Sequence, residues 1–237
     1  MATAKKGMLS YYTTWTYFKK WLEKGIISFS SYIHWDDKSD VILLEAYERK
    51  IKKQVRVLCF MDMSSSFKDS FYHWKYYAKD KKDNDTTYGI RVDFNKKLLL
   101  KYLGKDKKEA RNVDYPDNKN LKAKAKNPDN WPFLKRASYE ADNEFRIIYV
   151  EEGTKKFKKG QPLEIKFNNF KECIERVTLG PDFPEKNVKE IEDSLLKYGK
   201  KLSRSKILGY NKWETMVIKQ PSNNPILWEK EQRSFTN

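Results

Sequence analysis

The sequence predicts an α+β fold: one domain over residues 1–237, with a central mixed or antiparallel sheet flanked by helices. Three observations carry this. Apolar stripes at helical spacing alternate with runs of period two, without the strict βαβ order of a doubly wound sheet. Hydrophobic residues make up 39% of the 237 positions and aromatics 15%, which provides for a large, aromatic-heavy core. No internal repeat is visible, and nine glycines and eight prolines are ordinary for a packed chain.

The elements follow in order. Tyr17, Phe18, Trp21 and Leu22 form one stripe, so 14–22 reads as a first helix, capped by Thr13 or Thr14 and ended by Gly25. Ile26 to Ser30 reads as a short strand. Val41, Leu44, Glu48 and Ile51 mark a second helix over 39–52, with Asp36 and Asp37 as caps. Val55 to Phe60 is a compact apolar strand with an interior place in the sheet, and 61–67 is a serine-rich loop. An aromatic helix over 69–78 puts Trp74 and Tyr77 on one side. In 87–94, Ile90, Val92 and Phe94 alternate with Arg91 and Asp93, the signature of a strand. Asn95 caps a helix ending near Gly104.

Residues 105–130 hold Lys119, Lys122, Lys124 and Lys126 and little apolar periodicity, so they read as an exposed basic loop or insertion. These four lysines are the local candidates for phosphate contacts. The segment from Tyr139 to Val150 reads as a strand entered by Asp142, Glu144 and Arg146, which period two places on one face. Strands follow at 163–167 and 173–179, the latter stopped by Gly180 and Pro181. Pro184 opens a helix with a stripe of Val188, Ile191, Leu195 and Tyr198, closed by Gly199. Residues 213–218 read as a last strand, and 221–237 as an arm anchored by Trp228.

A formal net charge of +16 favours polyanionic partners, either nucleic acid or an acidic protein. Cys59 and Cys173 sit in apolar flanks and fit free thiols in a reducing, cytoplasmic setting. With His34 and His73 as the only histidines, a zinc cluster has too few soft ligands, and no metal is expected. Asp36, Asp37, Asp62 and Glu144 have no spacing that specifies a two-metal site. No apolar run reaches the ~18 residues of a membrane helix, and the first seven residues lack the core of a signal peptide. The glycine patterns of dinucleotide, P-loop and nucleophile-elbow sites are missing.

Five weak motifs in a fixed order give a resemblance. They are Tyr11-Tyr12-Thr13-Thr14 with the 27–31 strand; Cys59-Phe60; Trp74-Lys75-Tyr76-Tyr77-Ala78; Gly89-Ile90-Arg91-Val92-Asp93-Phe94; and Asp142-Asn143-Glu144-Phe145-Arg146-Ile147 with Ile174 to Pro181 behind it. Over residues 10–208 the order resembles a prokaryotic and phage family, domain of unknown function twenty-nine seventy-one. The turn Trp35-Asp36-Asp37-Lys38-Ser39 departs from the family's pattern. The layout is also similar to that of ADP-ribosyltransferases, some of which modify DNA.

That resemblance implies transfer of ADP-ribose from NAD to a macromolecule, with nucleic acid as one acceptor, in a phage–host conflict as a toxin, a defence effector or a counter-defence factor. Glu144 is then the catalytic carboxylate. Tyr12, Thr13, Ser28 and Ser30 hold the nicotinamide and its ribose, Trp74 and Tyr77 stack a ring, and Arg146 orients Glu144 or meets the pyrophosphate. The residues themselves allow a different reading: Glu144 and Arg146 as an ion pair at a strand end, in a non-catalytic basic protein that binds nucleic acid or a partner protein.

Overall fold

Side chains that cap helices start α1 and α2 in the first third of the chain. β1 (Met8–Thr14) runs straight into α1 (Trp15–Lys24), because the Thr14 hydroxyl accepts from the Tyr17 N–H at 3.4 Å. Gly25 closes α1 in the left-handed region, φ 58°. β2 (Ile26–Phe29) follows, then α2 (Lys38–Ile51), whose N-cap Asp37 accepts from the N–H groups of Ser39 and Asp40. β3 (Val55–Asp62), α3 (Phe71–Tyr77) and β4 (Gly89–Asn95) come next, and Asn95 caps α4 (Lys96–Leu103). Beyond α4 come β5 (Lys108–Asn112), α5 (Asn118–Lys124), two 3-10 turns (Pro128–Phe133 and Ala137–Asp142) and β6 (Glu144–Val150). The described elements end with β7 (Leu163–Lys166), α6 (Phe170–Cys173), β8 (Ile174–Leu179), α7 (Val188–Leu196) and β9 (Lys201–Arg204). This computed structural model describes residues 7–63, 71–79, 88–104, 108–151, 157–167 and 169–207. The strand expected at 213–218 and the arm at 221–237 lie outside the described residues, as does most of the serine-rich loop.

Among the described residues, seven strands form one mixed sheet in the order β5-β6-β3-β1-β4-β8-β9, and β2 with β7 forms a separate ribbon. All neighbours in the large sheet are antiparallel except β8 and β9. The α+β class with a mixed sheet flanked by helices is therefore the fold. β1 pairs with β4 along its whole length but with β3 only at Leu9↔Asp62 and Ser10↔Met61. Where β1 leaves β3, the end of β2 takes its place: Ser30 and Val57 exchange two backbone hydrogen bonds, 2.8 and 3.0 Å. Tyr11 stacks on Trp21 at this divergence, ring centroids 5.0 Å apart, with Phe60 edge-on at 5.8 Å.

The register gives the sheet two unlike faces, because directly opposed residues share a face. One carries Leu9, Phe60, Val92, Phe94, Ile147 and Val177, buried against Phe18, Trp21, Leu99 and Phe170. The other carries a band of charged and hydroxyl side chains. α2 covers that face at Val55, Val57 and Ile148, and α3 covers it at Tyr12 and Met61. Among the described residues no helix is long and apolar enough to cross a membrane.

Several expectations need correction. Residues 105–130 are not a structureless loop: they hold β5, α5 and the start of a 3-10 turn. β5 is an exposed edge strand held by backbone pairing to β6, which requires no apolar alternation. α5 has no buried residue and is started by Asp117. Asp142 does not share a strand with Glu144, because Asn143 turns through the left-handed region, φ 42°, and β6 starts after it. β3 extends past Phe60 to Asp62, Cys173 belongs to α6, and β9 is an element the sequence did not suggest.

Lys52 ends α2 with φ 55°, a conformation that costs a side-chain-bearing residue about 1 kcal/mol, and its side chain is exposed. Lys52→Gly is expected to raise unfolding stability by about 0.5–1 kcal/mol in urea titrations. An unchanged or lowered midpoint contradicts the geometry.

Candidate functional site

Glu144 opens β6 directly opposite Met61, and Arg146 stands opposite Cys59, so both project from the polar face of the sheet. The Arg146 guanidinium is 0% exposed and uses four of its five N–H groups. Nε donates to Glu144 Oε1 at 2.7 Å, and Nη1 to the Pro132 carbonyl at 2.7 Å. Nη1 and Nη2 grip the two oxygens of Asp40, on α2, at 2.8 Å each. Lys135 completes the group: its Nζ reaches Asp142 Oδ2 at 2.7 Å and Glu144 Oε2 at 3.3 Å. Asp142 in turn accepts from the Tyr77 hydroxyl at 2.8 Å. All five charged side chains are buried.

Two cations thus face three carboxylates in a water-poor region, where each charge depends on its partners. Burial by itself raises the Glu144 carboxyl, but Arg146 and then Lys135 outweigh it and hold it at about 2. Burial likewise disfavours the charged forms of Arg146 and Lys135, yet Glu144, with Asp40 or Asp142, pushes both above their ordinary range. Asp40 moves upward, because burial exceeds the pull of Arg146. Burial and the neighbouring Glu144 charge raise the Cys59 thiol well above its usual value, so it is no thiolate nucleophile at neutral pH.

A catalytic carboxylate needs an oxygen turned toward substrate. Both oxygens of Glu144 are instead turned to buried cations, and its backbone N–H is held by the Tyr115 hydroxyl at 2.9 Å. Arg146 likewise is fully buried with four of its five N–H groups given to protein acceptors, which leaves it unsuited to a pyrophosphate. The geometry is that of a structural clasp joining α2, the 128–142 segment and β6.

The other expected site residues divide. Tyr12, Trp74 and Tyr77 do converge beside the clasp. Tyr12 meets the Trp74 ring edge-on at 5.0 Å, and Tyr77 reaches Asp142. Trp74 is core, however, and only Tyr77 is exposed. Thr13 projects from the opposite face of β1 to Tyr12. Ser28 is buried on β2, and its hydroxyl has no hydrogen-bond partner among the described residues. Ser30 pairs with Val57, four residues before the Met61 that opposes Glu144, on the order of 13 Å along the strand. These residues are therefore divided between the two faces of the large sheet and the β2 ribbon. Lys119, Lys122 and Lys126 are exposed on and just after α5, whereas Lys124 is tied to Asp114.

Asp40 and Lys135 went unread in the sequence. Asp40 carried a usable signal, since it shares the buried stripe of α2 with Val41, Leu44 and Tyr47, where a carboxylate requires a buried cation. A second polar cluster lies on the same face, centred three strands away on β4. Asp93 there accepts from Ser10 at 2.6 Å, Arg91 at 3.0 Å and Arg176 at 2.9 Å. Arg91 and Asp93 were legible as the non-apolar face of β4, but not their pairing with Ser10 and Arg176.

Because its folded value is depressed, Glu144 contributes stability that is present above about pH 4.5 and lost as pH falls toward 2. Asp40, shifted upward, acts in the opposite sense, losing its contribution as pH rises through its raised value. Glu144→Gln is expected to cost about 3–5 kcal/mol at pH 7, by leaving buried cations short of a partner. It should also flatten the fall in stability between pH 4.5 and 2, measured by urea unfolding at each pH. An unchanged acid limb contradicts the assignment. No family model matches this sequence, and no curated protein or solved structure matches it, so the chemistry of the site rests on its own geometry.

Proposed function

We propose that this chain is a non-catalytic, basic protein that binds nucleic acid through its exposed lysines. The observation that carries the reading is the inward commitment of Glu144. Both carboxylate oxygens serve buried cations, so the best catalytic candidate has no oxygen for a substrate. The excess positive charge, by contrast, reaches solvent. Lys119, Lys122 and Lys126 are exposed around α5, and the whole chain carries +16. Clustered lysines on a surface helix neutralise backbone phosphates and release their counterions, whatever the base sequence. Transfer of ADP-ribose from NAD is the reading this arrangement supports less well, since it requires the Glu144 carboxylate to leave two buried partners.

The test is fluorescence anisotropy with a labelled 20-nucleotide strand and a matching duplex, titrated across a KCl series. Binding is expected to weaken linearly in log–log form as salt rises. Lys119→Ala/Lys122→Ala/Lys126→Ala should lower the slope by about one for each phosphate no longer neutralised. In parallel, labelled NAD is expected to leave no label on protein or nucleic acid. Loss of all retention at low salt overturns the reading, as does label transfer abolished by Glu144→Gln in a folded protein.

A further inference from the structure

The outer face of α3 is the part of the surface that the lysines do not account for. Phe71 is 42% exposed, Tyr72 39%, Tyr76 51% and Tyr77 40%. Single exposed apolar residues are ordinary, but four of the seven residues of one short helix are large rings open to solvent. Resting on the nucleic-acid reading above, we infer that this face of α3 is a stacking platform for the unpaired bases of a single strand.

The platform is held from beneath. Trp74 and His73, on the inner side of the helix, are buried against Tyr12, with ring centroids at 5.0 and 5.7 Å. The Tyr77 and Tyr72 hydroxyls both point to Asp142 Oδ1, at 2.8 and 3.5 Å, and Lys135 fixes Asp142 from the other side. Tyr72 and Tyr76, one turn apart, lie with ring centroids 4.7 Å apart. Tyr72 and Tyr77 are thus pre-set by the buried clasp, and Tyr76 rests on Tyr72, so less ordering cost remains when a flat ligand lands on them.

The surrounding charge selects the ligand. Lys75 is exposed on the same helix, which has no acidic residue. Arg136, six residues before the Asp142 that anchors α3, is also exposed, its guanidinium 5.2 Å from the Tyr139 ring centroid and 3.6 Å from Asp37 Oδ1. Aromatic rings next to cations suit a ligand with flat π-faces strung on phosphates. A duplex hides its base faces within its own stack and offers α3 only phosphates, so the rings add affinity for unpaired strands alone.

The decisive experiment uses the full chain with fluorescein-labelled dT15 and a 15-base-pair duplex, comparing wild type with Phe71→Ala/Tyr76→Ala. Neither ring makes a bond in the clasp. We expect dT15 affinity to fall about tenfold or more, from the loss of base stacking, with duplex affinity within about twofold and the salt slope unchanged. Phe71→Leu/Tyr76→Leu keeps apolar bulk but removes the π-faces and should match the alanine variant. Tyr76→Phe should bind like wild type. If thermal melting shows the alanine variant misfolded, the leucine variant decides. Wild-type binding of dT15 that neither double variant weakens overturns the platform and leaves the lysine-mediated reading standing. Failure of wild type to hold either probe at low salt overturns that underlying reading. Saturation of the platform by a proline-rich peptide, with dT15 unaffected, assigns α3 to a protein partner and also overturns the inference.

Discussion

A guanidinium with no access to water has to be neutralised by groups within hydrogen-bond reach. Arg146 meets that demand by drawing three separate stretches of chain to one point. Asp40 comes from α2, the Pro132 carbonyl from the turn before β6, and Glu144 from β6 itself. The bidentate grip on Asp40 fixes the direction of α2 as well as its distance, because a planar fork matches a carboxylate in one orientation. α2 then covers the polar face of the sheet where Val55, Val57 and Ile148 offer it an apolar floor. Lys135 extends the clasp to Asp142, and Asp142 to Tyr77, so the seat of α3 derives from the same group of charges.

This arrangement separates the two sheet faces by role. The apolar face holds most of the aromatic core, with Trp21, Phe18 and Phe170 packed on Phe94 and Leu9. The polar face is ordered by charge pairs, at Arg146 on one side of the sheet centre and at Asp93 on the other. Buried ion pairs of this kind contribute less to net stability than apolar packing of the same volume, but they are unforgiving of the wrong partner. They therefore set position: one register of β6 against β3, and one docking of the helix that carries Tyr72 and Tyr77. What α3 presents outward is aromatic, and what α5 presents is cationic.

The legible parts of the fold were those governed by short-range rules. Thr14, Asp37 and Asn95 announce their helices as caps, and the alternation of Ile90, Val92 and Phe94 announces β4. Elements that depend on distant partners were hidden. β5 reads Lys-Glu-Ala-Arg-Asn and becomes a strand only because β6 offers an edge. β9 is similarly recruited by β8. For the site, Glu144 and Arg146 could be seen to share a face, and a strand-end ion pair was one of two readings open to them. What the strand pattern did not disclose was depth. Period two places both side chains together without saying whether water reaches them, and the answer came from Asp40, 106 residues away. The serines of β2 show the same limit, since alternation gives Ser28 and Ser30 a face but not a neighbour.

The central claim is that Arg146 and Asp40 form a positional clasp whose charges depend on one another. A double-mutant cycle in urea unfolding at pH 7 tests it most directly, with Arg146→Met, Asp40→Leu and the combination. Each single change leaves a buried charge unmatched and is predicted to cost about 3–5 kcal/mol, while the double variant is predicted to cost less than the larger single. Single effects that simply add, or that stay within about 0.5 kcal/mol of wild type, would contradict the account.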